Sequence, residues 1–381
     1  MRLKLIIFYV FIIGFALKAE KSDSTHISFN GQITAWGIGQ FQTPVPTQFG
    51  GRFVPTLLGN FKLSPKTKLD FEASLNLNGS LNNTGFHTDT VLGQLKPYRV
   101  WLRYSGDNWE LRAGLQKINF GSAKMFRPLM WFDNMDVRDP LQLTDGVYGI
   151  LGKYFLEDNS NYWLWMLFGN SNRLKGFETI ETSYTQPEFG GRFEHPLGPG
   201  QFGISTHYRK IDYQTNTQYL KSDETRIGLD GKWDLGVGIW FESSIVYTDN
   251  KRIPQIPSFQ DLWNVGIDYT FPLGNGLGAT EEYFRFHTGN EILVKGTALD
   301  VLGTMLTYPV SLLDNFSGML FYFPGYNLTM NYLSWTRTYD NLSIYVIGYW
   351  NPDNVLLFST QAQSKNLFAG KGIQLMLNYN F

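Results

Sequence analysis

The chain has 381 residues, of which 43% are hydrophobic, 16% aromatic and only 17% charged, with a formal net charge of -1. A soluble domain normally carries about a quarter charged residues, so this composition favours a protein with part of its surface in lipid. The balanced charge gives no indication of a nucleic-acid partner. The absence of cysteine excludes disulfides, thiolate chemistry and cysteine metal sites.

The N-terminus predicts export across a membrane. Arg2 and Lys4 precede an apolar run at 5–17, and Ala19 follows that run directly before Glu20. This order of basic, apolar and small residues is typical of a cleaved signal peptide. The run is shorter than the roughly 20 residues that a transmembrane helix needs, although a signal anchor is an alternative. We expect a signal peptide at 1–19 and a single domain at 20–381.

Alternation of polar and apolar residues predicts β-strands along the rest of the chain, because successive side chains of a strand point to opposite faces. In 68–78, leucine, phenylalanine and alanine alternate with lysine, aspartate, glutamate, serine and asparagine. The C-terminal strand has the same pattern, and one of its faces carries Ile373, Leu375, Leu377, Tyr379 and Phe381. Each such segment has about the ten residues that a tilted strand needs to cross a bilayer. Mean hydropathy of -0.21 is compatible with strands that are half apolar.

Eighteen segments show this character, and sixteen strands remain an alternative. They are 27–38, 51–62, 67–79, 96–105, 108–116, 145–156, 160–170, 186–195, 200–211, 223–234, 236–248, 261–271, 278–288, 298–308, 316–323, 326–337, 341–350 and 371–381. Short connections alternate with longer ones at 39–50, 80–95, 117–144, 171–185, 249–260 and 351–370. Backbone polar groups in lipid need internal partners, so a sheet survives there only when it is closed. The fold predicted is an all-β, closed antiparallel transmembrane barrel with a long third loop.

The third loop, 117–144, is the most informative connection. It is long and rich in methionine, leucine, phenylalanine and tryptophan, and a loop of this length is usually functional or disordered. An apolar loop must be buried, so we expect it to fold into the barrel and narrow the lumen. Its charged residues would then border the constriction; they are Arg127, Asp133, Asp136, Arg138, Asp139 and Asp145. The alternative is that these charges pair with one another or cap turns.

The polar face of the strands is expected to line an aqueous lumen, because barrels of sixteen to eighteen strands leave a channel. The predicted lining residues are Asp70, Glu72, Arg99, Arg103, Glu110, Arg112, Arg226, Asp230 and Lys232. Asp268 and Arg285 are assigned to the same face. One interpretation is a wall of paired charges; another is that Arg99, Arg103 and Arg112 form a ladder that attracts anions.

Two stretches resemble bacterial outer-membrane families. The last strand, ending in Phe381, resembles the C-terminal signature of outer-membrane barrels, which implies recognition by the barrel-assembly machinery. The segment from Arg112 to Gly121, with the pattern R-x-G-x-Q-x-x-x-x-G, is similar to one found in porin-like and alginate-export-type barrels. The resemblance implies a channel in the cell outer membrane and carries no substrate residues with it.

The favoured function is passive or facilitated passage of small hydrophilic solutes. The alternatives are a dedicated transporter of a charged polysaccharide or oligosaccharide, and a non-conducting structural or adhesive barrel. The five histidines are scattered without a hydrolase or metalloprotease spacing, so we expect no enzyme, no cofactor and no metal site. The acidic set Asp133, Asp136 and Asp139 lacks the spacing of a calcium loop.

Overall fold

A computed structural model describes residues 25–85, 87–171, 174–214, 219–353 and 368–381. The predicted signal peptide, 1–19, lies outside these residues. The described chain forms an 18-stranded sheet in which every strand pairs with its neighbours in the chain and β1 also pairs with β18. The predicted closed antiparallel barrel is thereby confirmed, with eighteen strands and not sixteen.

The strands overlap all eighteen predicted segments. Their bounds are β1 (Thr25–Gln40), β2 (Pro46–Lys62), β3 (Lys68–Thr84), β4 (His87–Ser105), β5 (Trp109–Gln116), β6 (Val147–Phe155), β7 (Asn161–Leu167), β8 (Glu188–Leu197), β9 (Gly200–Gln214), β10 (Tyr219–Asp234), β11 (Gly238–Thr248), β12 (Phe259–Phe271), β13 (Leu277–Gly289), β14 (Gly296–Pro309), β15 (Asp314–Phe323), β16 (Leu328–Thr338), β17 (Leu342–Trp350) and β18 (Lys371–Asn380). Two short 3-10 helices complete the regular structure of the described chain, at Asn250–Arg252 and Pro324–Tyr326. Neither helix has the length and apolar character to cross a membrane.

The barrel closes where the first and last strands meet. Gln32 lies opposite Asn380, and the antiparallel register continues to Gln40 opposite Gly372. One step beyond the strand, Phe381 exchanges two backbone hydrogen bonds with Gly31, each 3.0 Å long. Closure leaves no open edge to pair with another sheet, so every strand has two hydrogen-bonded neighbours.

Burial is inverted relative to a soluble protein. On β3, Leu75 and Leu77 are 43% and 37% exposed, whereas Ser74 and Asn76 are 2% and 4% exposed. The apolar side chains therefore point outwards and the polar ones into the barrel. An outer surface of leucine and aromatic residues matches hydrocarbon, as a membrane barrel requires.

One predicted connection is instead regular structure. The range 80–95 was expected to be a loop, but β3 and β4 continue as a hairpin through it, with Ser80 opposite Leu92 and Asn82 opposite Thr90. Asparagine lowers the apparent strand character of this stretch, but the side chain of Asn82 donates to Thr90 across the ladder at 2.9 Å. The hairpin extends one side of the barrel, and its residues 87–95 are exposed or nearly so.

The assignment of Arg285 to the lumen is wrong. The alternate residues Glu282 and Phe284 contact the loop inside the barrel, so Arg285 points outwards and pairs with Asp300. The reason is physical: β13 packs against an apolar loop, which makes its inner face apolar and inverts the usual pattern. Asp268 does point inwards, where it pairs with Lys124.

Candidate functional site

The connection between β5 and β6, residues 117–146 and here called the inner loop, lies against the inner wall of the barrel. Two glutamates of the wall hold its backbone. Glu282 accepts hydrogen bonds from the N–H groups of residues 124–126 at 2.6, 3.0 and 2.8 Å. Its carboxylate also accepts from the side chains of Trp240, at 3.1 Å, and Asn264, at 3.0 Å. Bonds to a charged acceptor are among the strongest in proteins, so Glu282 fixes this turn firmly.

Glu242 on β11 is the second anchor of the inner loop. One oxygen accepts from the backbone N–H of Ala123 at 2.9 Å, and the other from that of Leu129 at 2.6 Å. Beside it, the indole N–H of Trp131 donates to Ser244 at 2.9 Å. The loop is thus tied to the wall at several points along its length.

Apolar side chains of the inner loop complete the attachment. The ring of Phe126 lies 5.4 Å from that of Phe284 and 5.3 Å from that of Phe321. Leu129 and Trp131 occupy the space above Gly228, where a Cβ would collide with Leu129. A glycine at this point of β10 lets the loop approach the wall closely.

Four of the predicted constriction residues form two ion pairs within the inner loop. Arg127 lies 3.9 Å from Asp133, and both side chains are buried. Arg138 pairs with Asp136 at 2.6 Å and also donates to the hydroxyl of Tyr332 at 3.3 Å. Burial alone would lower the pKa of Arg138, but the hydrogen bonds that Arg138 donates to Asp136 and the negative charge of Asp136 raise that pKa above its ordinary value.

The other two predicted loop residues have local roles. Asp139 accepts from the backbone N–H of Leu141 at 3.0 Å and so caps a turn. Burial raises the pKa of the Asp139 carboxyl above its ordinary value, although the hydrogen bond from Leu141 opposes this. Asp145 pairs with Lys96 of β4 at 2.6 Å, at the point where the inner loop returns to the wall.

Glu110 on β5 is surrounded by charged side chains of strands β4–β6. It lies 3.5 Å from Arg103, 3.4 Å from Arg112 and 3.5 Å from Lys153. Arg103 also pairs with Asp70 at 2.9 Å. The predicted lining residues Asp70, Arg103, Glu110 and Arg112 therefore form one network of both signs, which Lys153 joins.

The remaining lining residues on this side are also bonded. Glu72 accepts from the indole N–H of Trp101 at 3.0 Å. Arg99 donates to the carbonyl oxygen of Thr144 at 2.8 Å, so it supports the end of the inner loop and does not continue a ladder with Arg103. Lys232 lies half-buried on β10.

Arg226 and Asp230 lie in deeply buried pairs. Arg226 contacts Glu178 and Glu224, both at 2.7 Å, and Asp230 contacts Arg192 at 2.5 Å. Glu178 belongs to the connection between β7 and β8, so this pairing ties a second loop to the inner wall. Arg226 and Asp230 are thus covered by protein and turned away from open solvent.

One cavity, of about 620 Å³, lies between the inner loop and strands β14–β17. The loop contributes basic side chains to it, and the wall contributes methionine, tyrosine and hydroxyl groups. Lining residues include Lys124, Arg127, Arg138, Met305, Tyr332 and Ser334. A second cavity of about 450 Å³ lies on the other side of the loop, beside Arg209, Glu224 and Arg226.

The sequence did not reveal Glu282, Lys124 or Tyr332 as parts of this site. Glu281 and Glu282 are adjacent, so alternation places one of them in the barrel and one outside, but the pattern does not say which. The signal that was available is the apolar doublet of Phe284 and Phe286 on the same face as Glu282, which matches the apolar loop. Among the described residues, no group of three or more histidines or acids could hold a metal ion.

The geometry defines a class: a closed, porin-like β-barrel with a loop folded against its inner wall. Three solved structures share this fold. OccAB2 from Acinetobacter baumannii has 12% sequence identity and a TM-score of 0.56, covering 93% of this chain and 98% of that chain. OccK5 from Pseudomonas aeruginosa has 10% identity and a TM-score of 0.54, covering 95% and 99%. OmpT, an outer membrane protein of Vibrio cholerae in its trimer form, has 11% identity and a TM-score of 0.51, covering 94% and 100%.

At these identities the likeness extends to the fold alone. No protein-family model and no curated protein matches the sequence. The chain therefore has the fold of porin-like outer-membrane barrels.

Proposed function

We propose that the protein is a channel of the bacterial outer membrane through which small hydrophilic solutes diffuse. The observation that carries this proposal is the inverted burial of the barrel, with an apolar outer surface and a polar inner wall. An eighteen-stranded cylinder is wide enough to leave an aqueous channel. The bilayer of the outer membrane is its surroundings, and we expect no enzyme activity.

The inner loop is proposed as the constriction of this channel. Its anchoring by Glu242 and Glu282 supports this, because a loop held inside the barrel must reduce the free cross-section. The cavity between the loop and β14–β17 supplies the passage, with Lys124, Arg127 and Arg138 on the loop side. Solutes would meet basic groups on one side and hydroxyl, methionine and tyrosine side chains on the other.

Deletion of residues 122–142 tests the constriction. In a planar bilayer, the deletion variant is expected to show a single-channel conductance at least about twice that of the wild type, since a wider lumen carries more ions. A matched control shortens the exposed tip of the β3–β4 hairpin, which lies away from the inner wall, and should leave conductance unchanged. Equal currents from the wild type and the 122–142 deletion would contradict the constriction.

The same recordings distinguish the alternatives. A folded wild-type protein that carries no current would indicate a structural or adhesive barrel. Blockade of the current by uronate oligomers, but not by small neutral sugars, would indicate a dedicated transporter of charged polysaccharides or oligosaccharides. We expect current with little blockade by either.

A further inference from the structure

The outer face of β13 and β14 differs from the apolar surface around it. Two polar pairs run up this face: Glu281 with Thr304, and Arg285 with Asp300, called here the polar stripe. The members of each pair are direct cross-strand partners. Outward residues on the flanking strands, such as Ile267 and Leu320, are apolar and exposed.

The outward direction of the polar stripe follows from its neighbours in sequence. Glu282 bonds the inner loop and Phe284 stacks on Phe126 inside the barrel. Glu281 and Arg285, at alternate positions on either side, must therefore face away from the lumen.

The side chains of the two pairs are hydrogen-bonded but remain partly exposed. Thr304 donates to Glu281 at 2.7 Å. Asp300 accepts from Arg285 at 3.2 Å and from the hydroxyl of Tyr283 at 2.6 Å. The side chains of Arg285 and Asp300 nevertheless remain 37% and 32% exposed. Charged groups on the lipid face destabilise a barrel, most strongly near the middle of the bilayer. A protein neighbour on the polar stripe would replace the contact of these charges with lipid.

The arrangement of charge is self-complementary under a two-fold axis. In a membrane such an axis is parallel to the bilayer normal, so a residue of one copy meets residues at similar depth in the other. If the axis passes between β13 and β14, each β13 faces the β14 of the second copy, as in any isologous contact. Arg285 then meets Asp300 of the other copy, and Glu281 meets Thr304. Each pair can exchange partners between copies without bringing like charges together.

We propose that the polar stripe is the contact face of a two-fold symmetric dimer of this chain in the membrane. The inference depends on the membrane placement of the outer face and not on conduction. A barrel that conducts without dimerising would overturn the dimer alone, and a dimer that carries no current would overturn the channel alone.

Site-directed cross-linking tests the contact directly, because the chain has no cysteine. Leu302 lies outwards on β14 between the two pairs, and Leu75 lies outwards on β3. With a short bifunctional thiol reagent in outer membranes, Leu302→Cys is expected to give a covalent dimer and Leu75→Cys none. Absence of a dimer with Leu302→Cys, equal dimer from both variants, or cross-linking of Leu302→Cys only to a different protein would overturn the proposal.

Charge reversal tests the complementarity. In the Leu302→Cys background, Arg285→Asp alone and Asp300→Arg alone are each expected to lower the dimer yield at least about tenfold, through like-charge contacts across the axis. Co-expression of the two variants should restore a heterodimer, and failure to restore it would overturn the proposal. Heat-shifted migration on gels verifies folding. Should a reversal not fold, the neutral variant R285L/D300L replaces it, with loss of the dimer expected and an unchanged dimer contradicting the proposal.

Discussion

Glu282 holds the inner loop through a single buried carboxylate. It receives three backbone N–H groups of the inner loop and two side-chain donors. In Glu282→Gln an amide NH2 replaces one of the two acceptor oxygens, so donors face donors. We expect destabilisation of about 2–4 kcal/mol, from hydrogen bonds to a charged group and from donors left without partners. Single-channel recordings should show larger and noisier currents as the loop detaches.

The matched control for Glu282 is its neighbour. Glu281→Gln alters the same chemistry one residue away, but on the outer face, where the side chain bonds Thr304. Its current trace should match that of the wild type. Indistinguishable currents from both variants would show that the carboxylate of Glu282 does not hold the loop.

Asp139 provides a pH-dependent test, because burial raises the pKa of its carboxyl. A raised pKa means that the folded protein disfavours the charged form. The resulting loss of stability is complete above the raised pKa and absent below the ordinary value of the free side chain, about 3.9. Asp139→Asn keeps an oxygen acceptor for Leu141 and removes the charge.

We therefore expect Asp139→Asn to be more stable than the wild type at pH 7, by less than about 1 kcal/mol, with the difference disappearing below pH of about 4. Urea unfolding followed by tryptophan fluorescence measures this. Asp136→Asn serves as the comparison: it breaks the ion pair with Arg138 and should lower stability at pH 7. A wild-type protein more stable than Asp139→Asn at neutral pH would contradict the expected sign.

The seam between β1 and β18 contains a glycine that is packed against an aromatic ring. Gly31 lies beneath the ring of Phe381, and a Cβ there would collide with that ring and approach the carbonyl oxygen of Val54. Gly31→Val should therefore lower stability by about 1–3 kcal/mol, the range for overpacking. Gly39→Val on the same strand is the control, because a Cβ at Gly39 would meet no atom within 4 Å. The measurement is the temperature at which the folded band disappears from a gel, and equal shifts for both variants would rule out a packed seam.

Strands were predictable from sequence where lipid and water lie on opposite sides of the wall. On β3 and β18 the two solvents impose strict alternation, so both the segment and its faces could be read directly. On β13 the inner side contacts a protein loop, and the outer side carries the polar stripe. Successive residues of β13 still alternate between the two faces, so the strand itself was predicted. Because charged residues lie on its outer face, however, Arg285 was assigned to the wrong side of the wall.

The candidate site was predictable only in part for a related reason. The apolar character of 117–144 indicated that this loop is buried, since it could not remain in water. Which wall residues receive it depends on the register of strands far along the chain. Glu242 and Glu282 meet the loop through contacts separated by more than a hundred residues, and no local pattern encodes such a pairing.

Because the eighteen strands form a closed ring, the same set of strand pairings is possible wherever the chain begins and ends. The ring of pairings includes β1 with β18 as one of its equivalent links, and Gln32 lies opposite Asn380. A circular permutant can join Phe381 to Thr25 through a flexible linker and open at the exposed turn 235–237. We expect this permutant to refold in detergent with the same heat-dependent shift on gels as the wild type.

The permutant separates two roles of Phe381. Its ring still packs between Phe29, at 5.8 Å, and Phe53, at 6.1 Å, so the seam is unchanged. The residue no longer ends the chain, however, and the resemblance of the last strand to an assembly signal implies that chain-end position matters in cells. We expect the permutant to reach the outer membrane at least about tenfold less than the wild type while refolding equally in detergent. Equal amounts in both settings would mean that the terminal strand contributes packing alone, whereas failure in both would mean that closure depends on the order in which the strands are joined.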